Sequence, residues 1–345
     1  MLLPSKEKKV LIVGAGLAGA TIARVLAENS ILVKVIDKRS HIAGNAYDFI
    51  NENNERIHKY GPHLLHCNKN SRALSFLTRF TKWLKYEHKV RALLKDGRTT
   101  PLPINQTTIE DIYNIKFENE KEVRIFLDSI RNINLIPKNT DELFESAVGN
   151  KLADIFLRPY TKKMWGLSPS ELEISIGARL PVRVDKNDKY FNDNFQALPK
   201  DGYTNMIKNI LDHENINIEL NTSFEEKLMN DFDHSFLCIP IDKYFNFSDG
   251  VLPYRSIIFE NRMENVDKNS VPVINFTDDS PYTRKTIWSS LPNSPKNSKR
   301  EKTITYEKPC SMELNPNEYY YPVITSSSKE IFKKYIIRAK SLKNI

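Results

Sequence analysis

At 345 residues the chain is long for one domain, and an apolar content of 40% supports two or three packing units rather than a disordered or fibrous chain. No apolar run approaches the roughly 18 residues of a membrane span, and no hydrophobic leader precedes the first strand-like run, so neither membrane insertion nor a signal peptide is expected. The net charge of +8 comes from lysines interleaved with acids, a basic solvated surface with no nucleic-acid module, and three scattered cysteines (Cys67, Cys238, Cys310) predict a reducing cytoplasm and no metal site.

A short basic segment leads into the apolar run Val10 to Val13. Then come Gly14-Ala15-Gly16-Leu17-Ala18-Gly19, a helical stretch from Ala20 to Ala27, and a second strand from Ile31 to Ile36 closed by Asp37. Strand, GxGxxG turn, helix, strand and acid is the order a dinucleotide site requires. Gly14 permits the tight turn, Gly16 the approach of a pyrophosphate, and Gly19 the packing of helix on strand. The N–H groups at the helix start, around Leu17, face the phosphates, and Asp37 accepts from a ribose hydroxyl.

Tyr86 to Leu94 reads as strand, Asp96-Gly97 as a turn and Leu102-Pro103-Ile104 as extended. From Thr107 to about Tyr160 the apolar residues recur at helical spacing, with Gly149 as a helix stop. Residues 165–200 lose periodicity. Gly202 to Leu211 predicts a helix, and Ile216–Leu220 and Phe236–Ile239 predict strands that return to the nucleotide-binding sheet. Ser256–Phe259, Val271–Phe276, Thr286–Ser289 and Lys302–Glu307 predict an antiparallel sheet, with a polar break at 292–300. Ser328 to Leu342 closes the series as a helix.

Further strings carry a resemblance. They include HIAGN at 41–45, HKYGPHLLH at 58–66, YEHKV at 86–90, PLPIN at 101–105, PYTKKMWG at 159–166, RLPVR at 179–183 and KYF at 189–191. GYTNMI at 202–207, YRS at 254–256, VINFTD at 273–278, PYTR at 281–284 and YYPV at 320–323 continue it. In this collinear set the chain resembles the bacterial UDP-galactopyranose mutases, flavoenzymes of cell-surface polysaccharide synthesis. The resemblance implies an α/β fold: a Rossmann-type FAD-binding domain with an inserted helical bundle and a twisted antiparallel β-sheet domain. Residues 1–80, 201–245 and 325–345 would form the FAD domain, 105–160 the helical domain, and 81–104, 161–200 and 246–324 the sheet and substrate domain.

The implied activity is an isomerisation between UDP-galactopyranose and UDP-galactofuranose. Reduced flavin N5 attacks the anomeric carbon, UDP departs, the sugar reopens and recloses on another hydroxyl, and UDP returns. FAD is the implied cofactor, active when reduced, and a homodimer is the common assembly in the family.

The same resemblance assigns site residues. Catalytic roles fall to His63 against the flavin and to Arg179 and Arg284 on the diphosphate, where planar paired donors suit phosphate oxygens. Cofactor contacts fall to Gly14, Gly16, Leu17, Gly19, Asp37, Lys38, Arg39, Gly44, Asn45, His63 and Arg255. Substrate contacts fall to Tyr160, Thr161, Trp165, Arg179, Tyr190, Phe191, Asn275, Arg284 and Tyr320, with Tyr190 and Phe191 sandwiching the uracil. Residues 167–176 match the family's mobile lid, with Gly166 and Gly177 as hinges. His58 and His66 share the segment of His63 without a carboxylate at metal-ligand spacing, and His66 reads as a structural hydrogen-bonding residue. Arg183 reads as either a ligand or a structural residue.

Two departures qualify the match. Ala43 stands where the family has a glycine, harmless if its φ is negative and costly if positive. The family's sequence also continues past the last helix into a strand, a glycine-arginine string and a tyrosine-aspartate segment, whereas this sequence ends at Lys343-Asn344-Ile345. That predicts exposed apolar surface and an open strand edge, with Ile345 as the first residue of the next strand. The alternative reading is therefore a catalytically impaired relative that binds UDP-sugar without turnover.

Overall fold

The structure is a computed structural model and describes residues 8–179, 181–267, 270–296, 298–316 and 318–345. The N-terminal basic segment up to residue 7, Leu180 of the RLPVR string and Asn297 of the polar break lie outside the described residues.

Residues 8–85 form β1 (Lys9–Val13), α1 (Leu17–Ala27), β2 (Leu32–Ile36), β3 (Asp48–Ile50), β4 (Arg56–His58), β5 (Leu65–Cys67), α2 (Arg72–Thr78) and β6 (Trp83–Lys85). There follow β7 (Val90–Leu93), β8 (Thr99–Leu102), α3 (Gln106–Tyr113), α4 (Glu120–Ile130), α5 (Thr140–Leu152), α6 (Arg158–Trp165), α7 (Ile174–Gly177) and β9 (Phe195–Pro199). Next come α8 (Tyr203–Leu211), β10 (Ile216–Glu219), β11 (His234–Leu237) and α9 (Ile241–Tyr244). The last are β12 (Tyr254–Asn265), β13 (Val273–Phe276), β14 (Arg284–Ile287), β15 (Glu301–Ser311), β16 (Tyr321–Pro322) and α10 (Ser326–Ala339).

The chain divides into two units, one of residues up to 85 with 197–251 and 332–345, the other of 86–196 with 252–331. In the first, β10, β2, β1 and β11 lie side by side, all parallel. Leu11, Val13 and Ile36 bury one face of this sheet against Phe224, Leu228, Met229 and Phe232. α1 turns its small buried residues Gly19, Ala20, Ala23 and Ala27 inward, which lets it sit low on the sheet. The Ser235 N–H of β11 donates to the Asn344 carbonyl, so the last residues lie against that strand.

The second unit is built on a seven-stranded sheet in the order β16-β12-β15-β14-β13-β7-β8. The four strands expected to form an antiparallel sheet, β12, β15, β14 and β13, do pair antiparallel, and β7 joins beside β13 in parallel. The helices and the sheet are not packed separately. Val90, Ala92, Leu102 and Val273 of the strands share one core with Ile109, Val123, Leu127, Phe144, Val148 and Phe156 of the helical segment. α5 is interrupted at Gly149 (φ +75°), and a π-helical turn at Ala153–Leu157 leads into α6.

Gly19 is fixed by contact rather than by flexibility: a Cβ there would lie 1.9 Å from the Gly14 carbonyl oxygen. We expect Gly19→Ala to lower stability by about 3 kcal/mol or more, since the clash is with backbone that cannot repack. Urea unfolding measures this, and a loss below about 1 kcal/mol would contradict the packing described.

Candidate functional site

The second unit contains a cavity of about 250 Å³. Tyr160, Thr161, Trp165, Arg179, Tyr190, Asn275 and Arg284 all line it, together with Tyr321 and an apolar wall that includes Leu102, Ile104, Phe144, Phe156 and Val182. Tyr160, Thr161, Met164 and Trp165 reach it from one face of α6, as residues three to five apart on a helix do.

The opposite wall is a cross-strand row. Asn275 of β13 pairs with Arg284 of β14, and Arg284 pairs with Glu307 of β15, so the three side chains stand next to one another. Arg284 Nε lies 3.6 Å from Glu307 Oε2, and its Nη2 donates to the Tyr160 hydroxyl at 3.3 Å. The Glu307 charge holds the guanidinium proton against the cost of burial. Burial pushes the Glu307 carboxyl up, and Arg284 opposes that shift. Asn275 Oδ1, Arg284 Nε and Glu307 Oε1 are buried without a hydrogen-bond partner. Orphaned polar atoms beside a cavity, each costing about 1–3 kcal/mol if left dry, mark a place where a polar ligand completes the bonding.

At the rim, Arg179 sits over the Trp165 ring, 5.8 Å from its centroid. Burial pushes the Tyr190 phenol up to about 12, so it is a neutral hydroxyl at ordinary pH. Tyr190 is held from behind. Arg183 donates to the Asn187 carbonyl (3.3 Å), the Lys189 carbonyl and Asn192 Oδ1 (2.5 Å), which closes the loop carrying Tyr190. The edge of His88 packs on Tyr190 at 5.6 Å.

Several assigned residues stand elsewhere. Phe191 does not line the cavity; it lies against Tyr190 edge-on and stacks on His88, so the two rings do not form a sandwich. Tyr320 packs on Phe259 and donates to Glu318, while Tyr321 faces the cavity, because neighbouring residues of an extended chain point to opposite sides. Arg255 spends donors on the carbonyls of Met164 (3.0 Å) and Lys163 (3.4 Å) at the C-terminal end of α6, where a cation also suits the helix dipole. The segment 167–176 is anchored rather than loose, with Leu172 and Ile176 buried and Thr140 bonded to the Leu172 and Glu173 carbonyls. Gly177 serves close packing, not a hinge: a Cβ there would meet Phe144 at 2.8 Å. Glu307 lies in none of the strings that carry the resemblance, and His88 and Tyr321, although within those at 86–90 and 320–323, receive no role from it.

The first unit carries the glycine turn. Gly14 (φ +113°) and Gly16 lead into α1, whose cap residue Gly16 has no side chain to occupy the helix start, and Leu17 there is exposed. The Gly44 backbone passes alongside: a Cβ on it would lie 3.0 Å from Gly16 Cα. Two bare backbones at a helix N-terminus form a cradle that fits a pyrophosphate. Asp37 accepts from the Ala15 and Arg39 N–H groups, which ties the acid to the turn. Lys38 is exposed beside it, and Arg39 donates to Asn45 Oδ1 (2.9 Å) and covers the Tyr60 ring. Ala43 has φ +75°, so the departure from glycine is the costly case, of order 1 kcal/mol. The Nδ1 of His63 lies 2.9 Å from the Gly61 carbonyl; since a carbonyl only accepts, Nδ1 carries a hydrogen there. The buried His58, kept neutral by desolvation, accepts the His63 N–H through Nδ1. His66 is exposed on β5. No group of three or more metal-ligating side chains occurs among the described residues, and none of their helices is long and apolar enough to cross a membrane.

A sequence model of the UDP-galactopyranose mutase family matches residues 155–345, and one of an NAD(P)-binding Rossmann-like domain matches 12–80. A probable UDP-galactopyranose mutase of Klebsiella pneumoniae is 37% identical over 98% of this chain and 88% of its own length. The chain belongs to the UDP-galactopyranose mutase family. Another relative in this mutase group, a dTDP-fucopyranose mutase of Escherichia coli, is 35% identical over 98% of this chain and 90% of its own length. The crystal structure of a reduced UDP-galactopyranose mutase superposes with a TM-score of 0.70 at 17% identity, covering 96% of this chain and 88% of that one, which shows a shared mutase fold.

His88 supplies a pH test. Burial, aided by the Arg284 charge, pushes its imidazole from 6.5 down to about 3. Between those values the unfolded chain binds a proton that the folded chain refuses, so stability falls on acidification below 6.5. From pH 7 to 5 the wild type should lose about 2 kcal/mol more than His88→Asn. Equal slopes in urea unfolding across that range would contradict the assignment.

Proposed function

We propose that the chain is a UDP-galactopyranose mutase that interconverts UDP-galactopyranose and UDP-galactofuranose with reduced FAD, the furanose serving cell-surface polysaccharide. The observation that carries this reading is the Asn275–Arg284–Glu307 row facing Tyr160 and Trp165 across one cavity. A buried guanidinium with its own counter-charge is built to take an anion that forms and departs in place.

The residues divide the work. Arg284 and Arg179 hold the diphosphate, and Arg284 balances the charge that builds on UDP as its bond to the anomeric carbon breaks. Glu307 keeps Arg284 oriented. Asn275 offers its amide oxygen to a ligand hydroxyl, and the neutral Tyr190 hydroxyl, with that of Tyr160, donates to acceptors on the nucleotide sugar. The apolar wall excludes water from the pyrimidine end. Gly16, Gly44, Asp37 and the start of α1 hold FAD, and His63 lies against it. When bound and reduced, FAD supplies the nucleophilic N5 required for ring contraction.

FAD-loaded protein reduced with dithionite should convert UDP-galactofuranose to UDP-galactopyranose, and oxidised protein should not. Reduced, UDP-binding protein without turnover would overturn the reading in favour of a binding-only relative. Preferential turnover of a dTDP-6-deoxyhexose would overturn the sugar nucleotide but keep the reaction class. Arg284→Lys keeps the charge but loses the planar donors, and should weaken UDP binding by about 2–3 kcal/mol, roughly a hundredfold. Glu307→Gln should weaken it about tenfold. Gly16→Ala should fold normally, since its Cβ would sit 3.6 Å from Gly44 Cα, yet lose flavin because the methyl fills the cradle; a flavin-to-protein ratio like that of wild type would contradict this.

A further inference from the structure

Lys163 shares α6 with Tyr160, Thr161 and Trp165 but does not line the cavity. Its ammonium is enclosed by main-chain carbonyls of a single turn. Nζ lies 3.0 Å from the Phe276 oxygen, 3.1 Å from Asp278, 3.3 Å from Ser280 and 2.8 Å from Tyr282, with Asp278 Oδ1 at 3.7 Å. The side chain is 17% exposed.

The place of this cage in the chain gives it meaning. The turn begins just after Asn275 and ends just before Arg284, the two residues whose side chains face the cavity. The ladder between β13 and β14 runs from Asn275 and Arg284 away from the turn, and one further bond, Phe276 N–H to the Thr283 carbonyl, closes its base. Alternate carbonyls at 276, 278, 280 and 282 therefore turn toward one cation instead of toward each other. Four carbonyls share three N–H donors, an arrangement that suits a compact ammonium and not a planar guanidinium. Burial lowers the Lys163 pKa and the nearby Asp278 charge opposes the fall.

We propose that Lys163 is a positioning residue: its caged ammonium fastens the 277–282 turn to α6, and so fixes Asn275 and Arg284 opposite Tyr160, Thr161 and Trp165. This rests on reading Arg284 as the diphosphate-binding group. A purely structural staple would affect stability alone. A positioning role affects anion affinity as well, and it depends on a cation in the cage rather than on the lysine chain itself.

The test uses the FAD-loaded full chain, with hydrogen–deuterium exchange of the segment 276–286 and calorimetric titration with UDP. Lys163→Met should speed amide exchange across 277–285, leave exchange in β1 and α1 unchanged, and weaken UDP binding about tenfold or more. Lys163→Ala should regain UDP affinity in ammonium or methylammonium chloride but not in sodium chloride of equal ionic strength. Lys163→Arg should not regain it. Should Lys163→Met fail to fold, Lys163→Gln, which keeps an N–H donor, serves the same comparison. Unchanged UDP affinity in a variant whose wild type binds UDP overturns the positioning role, whether or not exchange changes. Wild-type protein that binds no UDP overturns instead the reading of Arg284 and the proposed function.

Discussion

The second unit depends on the cost of a buried guanidinium. Arg284 sits where water cannot solvate it fully, and the site is tenable because Glu307 stands 3.6 Å away on the next strand. Removing either partner leaves an uncompensated charge in a dry place. The pair does not satisfy all its own atoms: Arg284 Nε, Glu307 Oε1 and the neighbouring Asn275 Oδ1 lack partners. A protein that sought only stability would fill such a row with apolar side chains. Of the three unpartnered atoms only Arg284 Nε can donate to an anion; the two oxygens are acceptors that take a hydroxyl or N–H of the same ligand.

The supporting structure follows from holding that row still. Strand register places Asn275, Arg284 and Glu307 abreast, and the Tyr160 hydroxyl ties Arg284 to α6. Arg255 grips the carbonyl end of α6, and Arg183 closes the loop behind Tyr190. Arg255 spends its donors on backbone carbonyls, and Arg183 divides its donors between two carbonyls and the Asn192 side chain, so both act as builders.

The glycine turn was the most legible feature of the sequence because its order of strand, turn, helix and acid follows from backbone geometry alone. The contents of the cavity were legible only through short strings whose members meet by long-range pairing; no local pattern brings Trp165, Asn275 and Arg284 together. The two-residue period of an extended chain decides which side chain faces the cavity, so Tyr321 and Tyr190 line it while Tyr320 and Phe191 do not. The resemblance implied a hinge at Gly177, where the structure shows a packing contact against α5 that only the folded chain reveals. The helical domain 105–160 and the sheet domain implied by the resemblance share one apolar core. Ala43 shows the reverse case, where the sequence posed a definite question and the backbone angle answered it.

The most direct measurement is a crystal structure of the protein with UDP bound. The account predicts the diphosphate between Arg284 and Arg179, with the pyrimidine toward Phe144 and Phe156 and new hydrogen bonds to Arg284 Nε and Asn275 Oδ1. UDP seated elsewhere, or Arg284 still directed at Glu307 with no phosphate within reach, would contradict it.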